Sequence, residues 1–410
     1  MLTRNFARRL ILAGLLAMSA AGPLRAQDAM ARGRYLAILG DCAGCHTVPH
    51  GAAYAGGLAF TAQFGTLYSS NITPDKQTGI GNWTGAQFYR ALHEGIAADG
   101  HHLYPAFPYA HFTQLGRADT DALFAFLKTL KPVRSTPPPN RLYFPFNIRA
   151  MMTFWDWLFL KDARFQPDPS HSPAWNRGAF LVLGLGHCAA CHTPKNILFG
   201  DEDVKALTGA VVDNWFSANL TGNRHAGLGQ WSAADVAEYL KTGRNRYATA
   251  AGSMQEKVSG STSRMTDTDR DAIAVYLKSL PGQRPAAPQQ PPGEAMQAGR
   301  ALFVASCAQC HQPPGHPQLP GVLPDYPKLA GDTLVMGRDP TTVVRIILEG
   351  AASPVTANAP NGYSMPGFAA LRDEDIAALA TYIRNAWGNS APAVKASQVT
   401  ALRPEIMVRY

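Results

Sequence analysis

"CAGCH" (42–46) is the first of three pentapeptides in this chain that share one pattern; the others are "CAACH" (188–192) and "CAQCH" (307–311). Together they contain all six cysteines of the 410 residues. The C-x-x-C-H spacing is typical of c-type haem attachment, in which two thiols bond to the haem vinyl groups and the adjacent histidine binds the iron. The sequence therefore predicts three covalently bound haem c groups. Their attaching and axial residues would be Cys42, Cys45 and His46; Cys188, Cys191 and His192; and Cys307, Cys310 and His311.

Three other uses of paired cysteines stay open at this point. Six cysteines in an exported chain could form a disulfide framework. C-x-x-C pairs can also bind zinc or exchange thiols with disulfides. One C-x-x-C-H can arise by chance, whereas three copies that use every cysteine favour haem.

Each motif lies between two stretches with helical periodicity. Their apolar residues recur at three- and four-residue spacing, as on an amphipathic helix. The earlier stretches are "GRYLAILGD" (33–41), "GAFLVLGLGH" (178–187) and "GRALFVAS" (299–306), and the later ones are "DALFAFLKTL" (121–130), "DAIAVYLKSL" (271–280) and "DIAALATYIR" (375–384). Two helices packed around a haem form a small cytochrome c module. We therefore expect an all-α fold of three tandem cytochrome c-like haem domains joined by Pro-rich linkers.

Composition sets the expected domain limits. An arginine-rich start, an apolar run too short to span a membrane and a small residue at Ala26 indicate a secretory signal peptide. Pro-rich stretches at 131–140 and 282–293 cannot continue a helix. The expected order is a signal peptide at 1–26, a first domain at 27–135, an aromatic linker at 136–170, a second domain at 171–282, a Pro-rich linker at 283–292, a third domain at 293–390 and a tail at 391–410.

The charge pattern gives no sign of a nucleic-acid partner. Removal of the four arginines of the signal peptide lowers the formal net charge from +8 to +4. No Lys/Arg-rich run is present elsewhere. No later stretch is apolar enough to span a bilayer, so we expect an exported protein that is soluble or peripherally attached.

An aromatic stretch, "FPFNIRAMMTFWDWLFLKDARF" (144–165), lies in the first linker. One interpretation is a helix that packs two domains together. The other is a docking surface for a partner subunit or the membrane interface, where Trp and Phe side chains are common.

The first two domains also match in their middle parts. "YSSNITPDKQTGIGNWTGAQFYRALHEG" (68–95) parallels "WFSANLTGNRHAGLGQWSAADVAEYLKTG" (215–243), so that Asn71 matches Asn219 and Trp83 matches Trp231. We hypothesise that these side chains donate hydrogen bonds to buried haem propionates. The alternative is that both tryptophans are core aromatics with a satisfied N–H group.

Methionine is the expected distal ligand of the second and third haems, because a soft thioether suits an electron-transfer iron. Met365 lies 17 residues before Tyr382 of the last helix, and Met254 lies 22 residues before the equivalent Tyr276. Met265 lies only 11 residues before it, which makes Met254 the better candidate.

The first domain has no methionine at this place. The loop "LYPAFPYAHF" (103–112) holds Phe107, which lies 19 residues before the equivalent Phe126 and cannot bind iron. His111 is the preferred replacement, with His102 and His101 as alternatives. An open iron or a ligand from another domain would also fit.

The chain resembles a known family over nearly its whole mature length. Besides the haem motifs, the resemblance depends on "YSSNITPDKQTGIGNW" (68–83), "HLYPAFPY" (102–109), "WNRGAFLVLGLGHCAACHTPKN" (175–196) and "EYLKTGRN" (238–245). These stretches resemble the three-haem cytochrome c subunit of bacterial membrane-bound alcohol, gluconate, sorbitol and fructose dehydrogenases.

The resemblance implies a periplasmic subunit on the cytoplasmic membrane, which takes electrons from a quinoprotein or flavoprotein dehydrogenase and passes them to ubiquinone. Phe107 departs from the alcohol dehydrogenase type. A similar loop occurs in cytochromes that serve molybdenum-containing aldehyde and nicotinate-type dehydrogenases, which makes such a partner the alternative.

A different class of function is a peroxidase-like haem enzyme with an open first iron, and another is a haem-based sensor or a plain soluble shuttle. Against the enzyme, the loop shows no acid–base pair beyond His111.

Overall fold

The computed structural model describes residues 28–283, 290–311 and 326–407, without the side chains of 405–407. The predicted signal peptide lies outside the described residues, as does most of the second Pro-rich linker. In the described parts, no helix is both long and apolar enough to cross a membrane.

The first domain consists of helices and one small sheet. Its elements are α1 (28–39), α2 (Cys42–Cys45), strands β1 (Ala59–Ala62) and β2 (Gly65–Tyr68), α3 (Gly85–Glu94), α4 (Tyr109–Phe112) and α5 (Arg117–Leu127). The linker then adds strand β3 (Arg141–Leu142), which pairs with β2, and helix α6 (Met151–Phe159). The first linker is therefore folded onto the first domain.

The second domain repeats this order. Its elements are α7 (Pro173–Ala179), continued by a π-helical segment (Phe180–Leu185), α8 (Cys188–His192), a 3-10 turn (Asp203–Lys205), strands β4 (Ala210–Val212) and β5 (Trp215–Ser217), a 3-10 turn (Leu228–Gln230), α9 (Ala233–Thr242), α10 (Ser253–Gly260), a 3-10 turn (Thr262–Arg264) and α11 (Asp267–Ser279).

The third domain, in the part that the structure describes, is built from helices and two short strands. They are α12 (Gly293–Ser306), α13 (Thr341–Glu349), β6 (Ala351–Ala352), β7 (Ser364–Met365), α14 (Asp373–Asn385) and α15 (Ala396–Met407). The expected tail at 391–410 thus contains a helix that belongs to this domain. Val399 is fully buried, and Thr400 and Arg403 both bind the Asp373 carboxylate. The all-α expectation holds only in part, because each domain also contains a small antiparallel sheet.

One close helix crossing recurs in all three domains. A Cβ atom on Gly33 would lie 2.8 Å from Phe126 Cβ, one on Gly178 would lie 2.7 Å from Tyr276 Cβ, and one on Gly299 would lie 2.6 Å from Tyr382 Cβ. No real Cβ approaches so closely, so the first helix of each domain (α1, α7 or α12) meets its partner helix (α5, α11 or α14) at a glycine. This crossing explains why each earlier periodic stretch begins with glycine.

The first two domains share one hydrophobic core. Leu39 and Leu123 of the first domain belong to the same buried cluster as Leu185 and Leu277 of the second. The third domain has a separate core around Phe303. We therefore describe the first two domains as one packed unit, to which the third domain is attached.

The third domain is attached through hydrogen bonds and stacked cations. Phe216 donates its backbone N–H to Thr342 Oγ1 at 2.7 Å, and the Thr342 hydroxyl donates back to Phe216 O at 3.0 Å. The Arg345 guanidinium lies 4.0 Å from the centre of the Trp215 ring and donates to Asn214 O at 2.9 Å. The contact between the second and third domains is therefore largely polar.

The helix crossing gives a matched stability test inside α12. We expect Gly299→Ala to lower the free energy of unfolding by about 1–3 kcal/mol, because its methyl group must push α14 away. Gly293→Ala in the same helix meets nothing within 4 Å, so it should be neutral or stabilise by up to about 1 kcal/mol. Urea unfolding midpoints would measure both changes. Equal effects of the two substitutions would contradict the crossing.

Candidate haem sites

Each C-x-x-C-H motif forms a helical turn directly after the crossing helix. The His46 N–H donates to Cys42 O at 3.0 Å, and the His311 N–H donates to Cys307 O at 2.8 Å. Cysteines three residues apart on such a turn face the same side. The chain enters the first two motifs through a left-handed residue, Asp41 (φ 53°) or His187 (φ 41°), so the motif turns away from the preceding helix.

The three predicted proximal histidines are held in the same way. His46 Nδ1 lies 2.7 Å from Ser70 O, His192 Nδ1 lies 2.6 Å from Ala218 O, and His311 Nδ1 lies 2.9 Å from Pro327 O. A hydrogen bond from Nδ1–H to a carbonyl fixes the tautomer and leaves the Nε2 lone pair for a metal. Burial lowers the pKa of all three rings, which keeps them neutral and able to bind iron.

The cysteines fit haem attachment better than the open alternatives. All six are free thiols in the structure, and burial is the main cause that raises the pKa of the Cys42 thiol to about 12 and the pKa of the Cys307 thiol to about 11. Tetrahedral zinc needs four ligands, whereas the described residues contain no group of three or more metal-ligating side chains placed to hold an ion. Two thiols beside one histidine match the needs of a covalently attached porphyrin iron.

The predicted distal methionines lie in regular elements. Met254 is in the first turn of α10 and packs, partly buried, against the shared core. Met365 is in β7 and is also partly buried, lining a cleft between the second and third domains beside Trp215 and Glu349. Met265 is buried in the shared core. The assignment of Met254 and Met365 as ligands stays a prediction.

The three histidines proposed for the first haem all have partners in the structure. His111 Nδ1 lies 3.1 Å from Leu183 O, and its Nε2 lies 3.3 Å from Asp201 Oδ2. His102 Nδ1 lies 2.9 Å from Asp156 on α6, and His101 is an exposed residue that pairs with Asp99 at 2.6 Å. His111 alone of the three has its Nδ1 on a backbone carbonyl, as the proximal histidines do.

Phe107 has a packing role. Its ring lies 5.5 Å from that of Phe112 and is packed against the shared core. The phenylalanine therefore fills, with apolar surface, the loop position where a methionine ligand was expected. Met254 and Met365 are the predicted ligands of the other two haems, so the first site is predicted to differ from them chemically.

The matched Asn and Trp residues lie in the loops that follow the first two motifs in the chain. Asn71 Oδ1 accepts from the backbone N–H of Thr73 at 2.9 Å, and Asn219 Oδ1 accepts from that of Thr221 at 2.8 Å. Asn71 Nδ2 also donates to Val133 O at 2.7 Å. These bonds give both asparagines a structural role in turns. Their proposed contact with propionates stays a prediction.

Trp83 and Trp231 each stand directly before a helix with a capping box. Thr84 and Gln87 cap α3, and Ser232 and Asp235 cap α9 in the same reciprocal manner. Trp231 is buried and stacks on Tyr247 with ring centres 5.5 Å apart, whereas Trp83 is half-buried. This repeated capping explains the sequence match between the first two domains. The propionate role of both indoles also stays a prediction.

The first two motifs face each other, an arrangement that the sequence did not predict. His187 Nε2 lies 3.2 Å from Gly40 O, so the residues just before the two motifs are in contact. Helix α10 packs against α2, and the Lys257 ammonium of α10 lies 3.9 Å from Asp41 Oδ2. No sequence pattern signalled this arrangement, because the contacts join residues far apart in the chain.

Comparison with known proteins agrees with these sites. The sequence model of the family described as cytochrome c matches residues 30–131, 177–281 and 296–387. Each matched segment contains one C-x-x-C-H motif and one glycine crossing. The matches cover most of the chain.

Three similar proteins are named as subunits of dehydrogenases. The chain is 43% identical over 383 residues to a subunit of the nicotinate dehydrogenase of Pseudomonas putida, a match that covers 90% of this chain but only 32% of that protein. It is 39% identical to the cytochrome c subunit of the quinone-type alcohol dehydrogenase of Gluconacetobacter polyoxogenes, covering 91% of this chain and 83% of that protein. It is 37% identical to the gluconate 2-dehydrogenase cytochrome c subunit of Pantoea cypripedii, covering 97% and 94%.

The sequence matches and the geometry of the motifs lead to the same conclusion. Three matched segments each provide two thiols and an oriented histidine. The chain spans about a third of the nicotinate dehydrogenase relative and most of the length of the other two relatives. The chain belongs to the cytochrome c family, whose domains carry covalently bound haem c.

Proposed function

We propose that this chain carries three haem c groups and transfers electrons as the cytochrome subunit of a dehydrogenase complex. The observation that carries the proposal is the threefold recurrence of paired thiols beside a histidine whose Nδ1 is held by a carbonyl. Haem c, when bound, supplies a one-electron iron couple. The residues of the chain attach it, orient its axial histidine and exclude water from it.

The proposed complex is periplasmic and lies on the cytoplasmic membrane, with ubiquinone as the electron acceptor. The predicted signal peptide at 1–26 supports export. The names of the alcohol and gluconate dehydrogenase cytochrome subunits support a partner that bears the substrate site. The substrate chemistry would then belong to that partner.

A second candidate partner is a molybdenum-containing aldehyde or nicotinate-type dehydrogenase. The similarity to the nicotinate dehydrogenase protein of Pseudomonas putida, at 43% identity over 90% of this chain, favours it. Phe107 in the first-domain loop is the feature of the sequence that points the same way. Identification of the protein that co-purifies from membranes of the native host would separate the two candidates.

Haem stoichiometry tests the proposal directly. After denaturation, the mass of the fully matured protein should equal that of the polypeptide plus three covalently attached haems. The double variant Cys307→Ala/Cys310→Ala should lose one haem and keep two, because the third domain has its own core. The matched variant Cys188→Ala/Cys191→Ala should also lose one haem but should lower stability more, because the first two domains share a core. Two or fewer haems on the unaltered, fully matured protein would refute the count.

The ligand of the first haem is a separate proposal. We propose His111, because its Nδ1 is held by Leu183 O as in the proximal histidines. His111→Ala should then convert one haem to high spin, and the first haem of the parent should have the lowest potential, since imidazole favours ferric iron more than thioether does. Absorbance and EPR spectra would report the change.

Asp201 provides the control for this experiment. Its carboxylate lies 3.3 Å from His111 Nε2, and Lys195 also binds it. Asp201→Asn removes the carboxylate charge beside His111 Nε2 but leaves the imidazole, so all haems should stay low spin. Unchanged spectra in His111→Ala would show that His111 only joins the two domains, through Leu183 and Asp201.

The exposed face of α6 is the proposed contact with the dehydrogenase subunit. Trp157 is 76% exposed, and Phe154 and Met151 are also exposed on this helix. Asp156, the single charged residue of α6, points inward and accepts from Tyr109 at 2.6 Å. An uncharged apolar face of this kind is typical of the centre of a protein interface.

Substitution of Trp157 tests the contact. Trp157→Ser should abolish co-purification with the dehydrogenase while haem content is unchanged. Val304→Ser, at a residue that is 64% exposed on the third domain, is the control and should have no effect. If the Trp157→Ser protein is released from the membrane together with its dehydrogenase, the exposed face of α6 contacts lipid and not the dehydrogenase.

A further inference from the structure

One half-buried lysine lies between the two haem-attachment loops of the packed unit. The Lys257 ammonium is 3.9 Å from Asp41 Oδ2 and 3.5 Å from His187 Nε2. The Lys257 side chain is 17% exposed and that of Asp41 is 12% exposed. Asp41 directly precedes Cys42, and His187 directly precedes Cys188. The same cation therefore lies next to both motifs.

The influence of this cation on both motifs is visible at their thiols. Burial raises the pKa of all four cysteines, and at each the Lys257 charge opposes the rise. At Cys307 of the third domain, burial and Cys310 are the causes of the raised pKa. The Lys257 ammonium therefore lies next to the first two motifs together.

Asp41 is the counter-charge of Lys257. Within the described residues, Asp41 Oδ1 accepts no hydrogen bond, and Lys257 lies 3.9 Å from the other carboxylate oxygen, Oδ2. Burial raises the pKa of Asp41 to about 6 and the Glu256 charge raises it too, whereas Lys257 is the strongest opposing influence and Arg264 also lowers it. Burial and Lys257 lower the pKa of His187 well below its usual value, so His187 adds no charge.

The local structure is built to hold this pair in place. Helix α10, which carries Lys257, packs against α2. A Cβ atom on Gly260, at the end of α10, would lie 2.6 Å from Asp41 Oδ1. Asp41 itself has φ 53°, a left-handed conformation that Asp and Asn tolerate better than most residues.

We propose that Lys257 sets the reduction potentials of the first two haems together and that Asp41 opposes it. The inference rests on the proposed haem content. Reduction removes one positive charge from the iron, so a nearby cation favours the ferrous form and a nearby anion favours the ferric form. A unit charge about 10 Å away, in a medium of effective dielectric constant about 20, changes the reduction equilibrium by roughly tenfold. A tenfold change is about 59 mV for one electron.

Spectroelectrochemical titration of charge variants tests the proposal. Lys257→Met should lower two of the three midpoint potentials by about this amount and leave the third unchanged. Asp41→Asn should raise the same two, and the double variant should return them towards the parent values. Lys257→Arg keeps the charge and should keep the potentials. A role in packing alone predicts no such opposite signs.

Three results would overturn the proposal. They are shifts of the same sign in Lys257→Met and Asp41→Asn, equal shifts of all three haems, or no shift in either variant. Asp41→Asn keeps the backbone conformation, so it decides the question even where Lys257→Met does not fold. The mass of each denatured variant is measured first and gives its number of haems. A variant with three haems tests the role of Lys257, whereas fewer than three haems on the parent would contradict the proposed haem content instead.

Discussion

Each domain depends on the contact at which its first helix meets α5, α11 or α14 through a glycine. With Cβ positions below 3 Å at Gly33, Gly178 and Gly299, no other residue allows the two backbones to meet. The crossing fixes where the first helix ends, and the C-x-x-C-H turn begins at that end. The loop that follows then offers a carbonyl to the Nδ1 atom of the histidine. The orientation of each proximal histidine is therefore a consequence of helix packing.

The domains are joined in two different ways, one between the first and second domains and the other between the second and third. Between the first two domains, apolar side chains from both merge into one core, and polar contacts such as Tyr35 Oη to Asp269 Oδ2 at 2.7 Å cross the boundary. The third domain is joined through Thr342, Arg345 and the backbone near Trp215. A shared core holds two sites at a fixed separation, whereas a polar interface is weaker and more easily rearranged. The first two sites are consequently held by one core, and the third domain has its own.

The features that sequence could predict depend on local spacing, and those that it missed depend on distant contacts. The motifs, the flanking helices and the three cytochrome c segments follow from patterns within a few tens of residues, and the family match confirms the segments. The pairing of Asp41 with Lys257 joins residues more than 200 positions apart, and no periodicity reveals it. The C-terminal helix was not predicted, because Pro404 and a mixed composition hide a weakly amphipathic pattern. The small sheets were missed because strands of two to four residues carry almost no alternation.

The loop at 103–112 of the first domain combines a local sequence feature with contacts to the second domain. It places Phe107 in the core and turns His111 towards Leu183 and Asp201 of the second domain. A methionine at position 107 would have served the first domain alone. A histidine four residues later, bound across the boundary, makes the surroundings of the first site depend on the second domain as well. Lys257 makes the same connection from the other side, since its helix carries Met254 of the second domain and packs against α2 of the first. Both features make the electrostatic environment of either site a property of the two domains together.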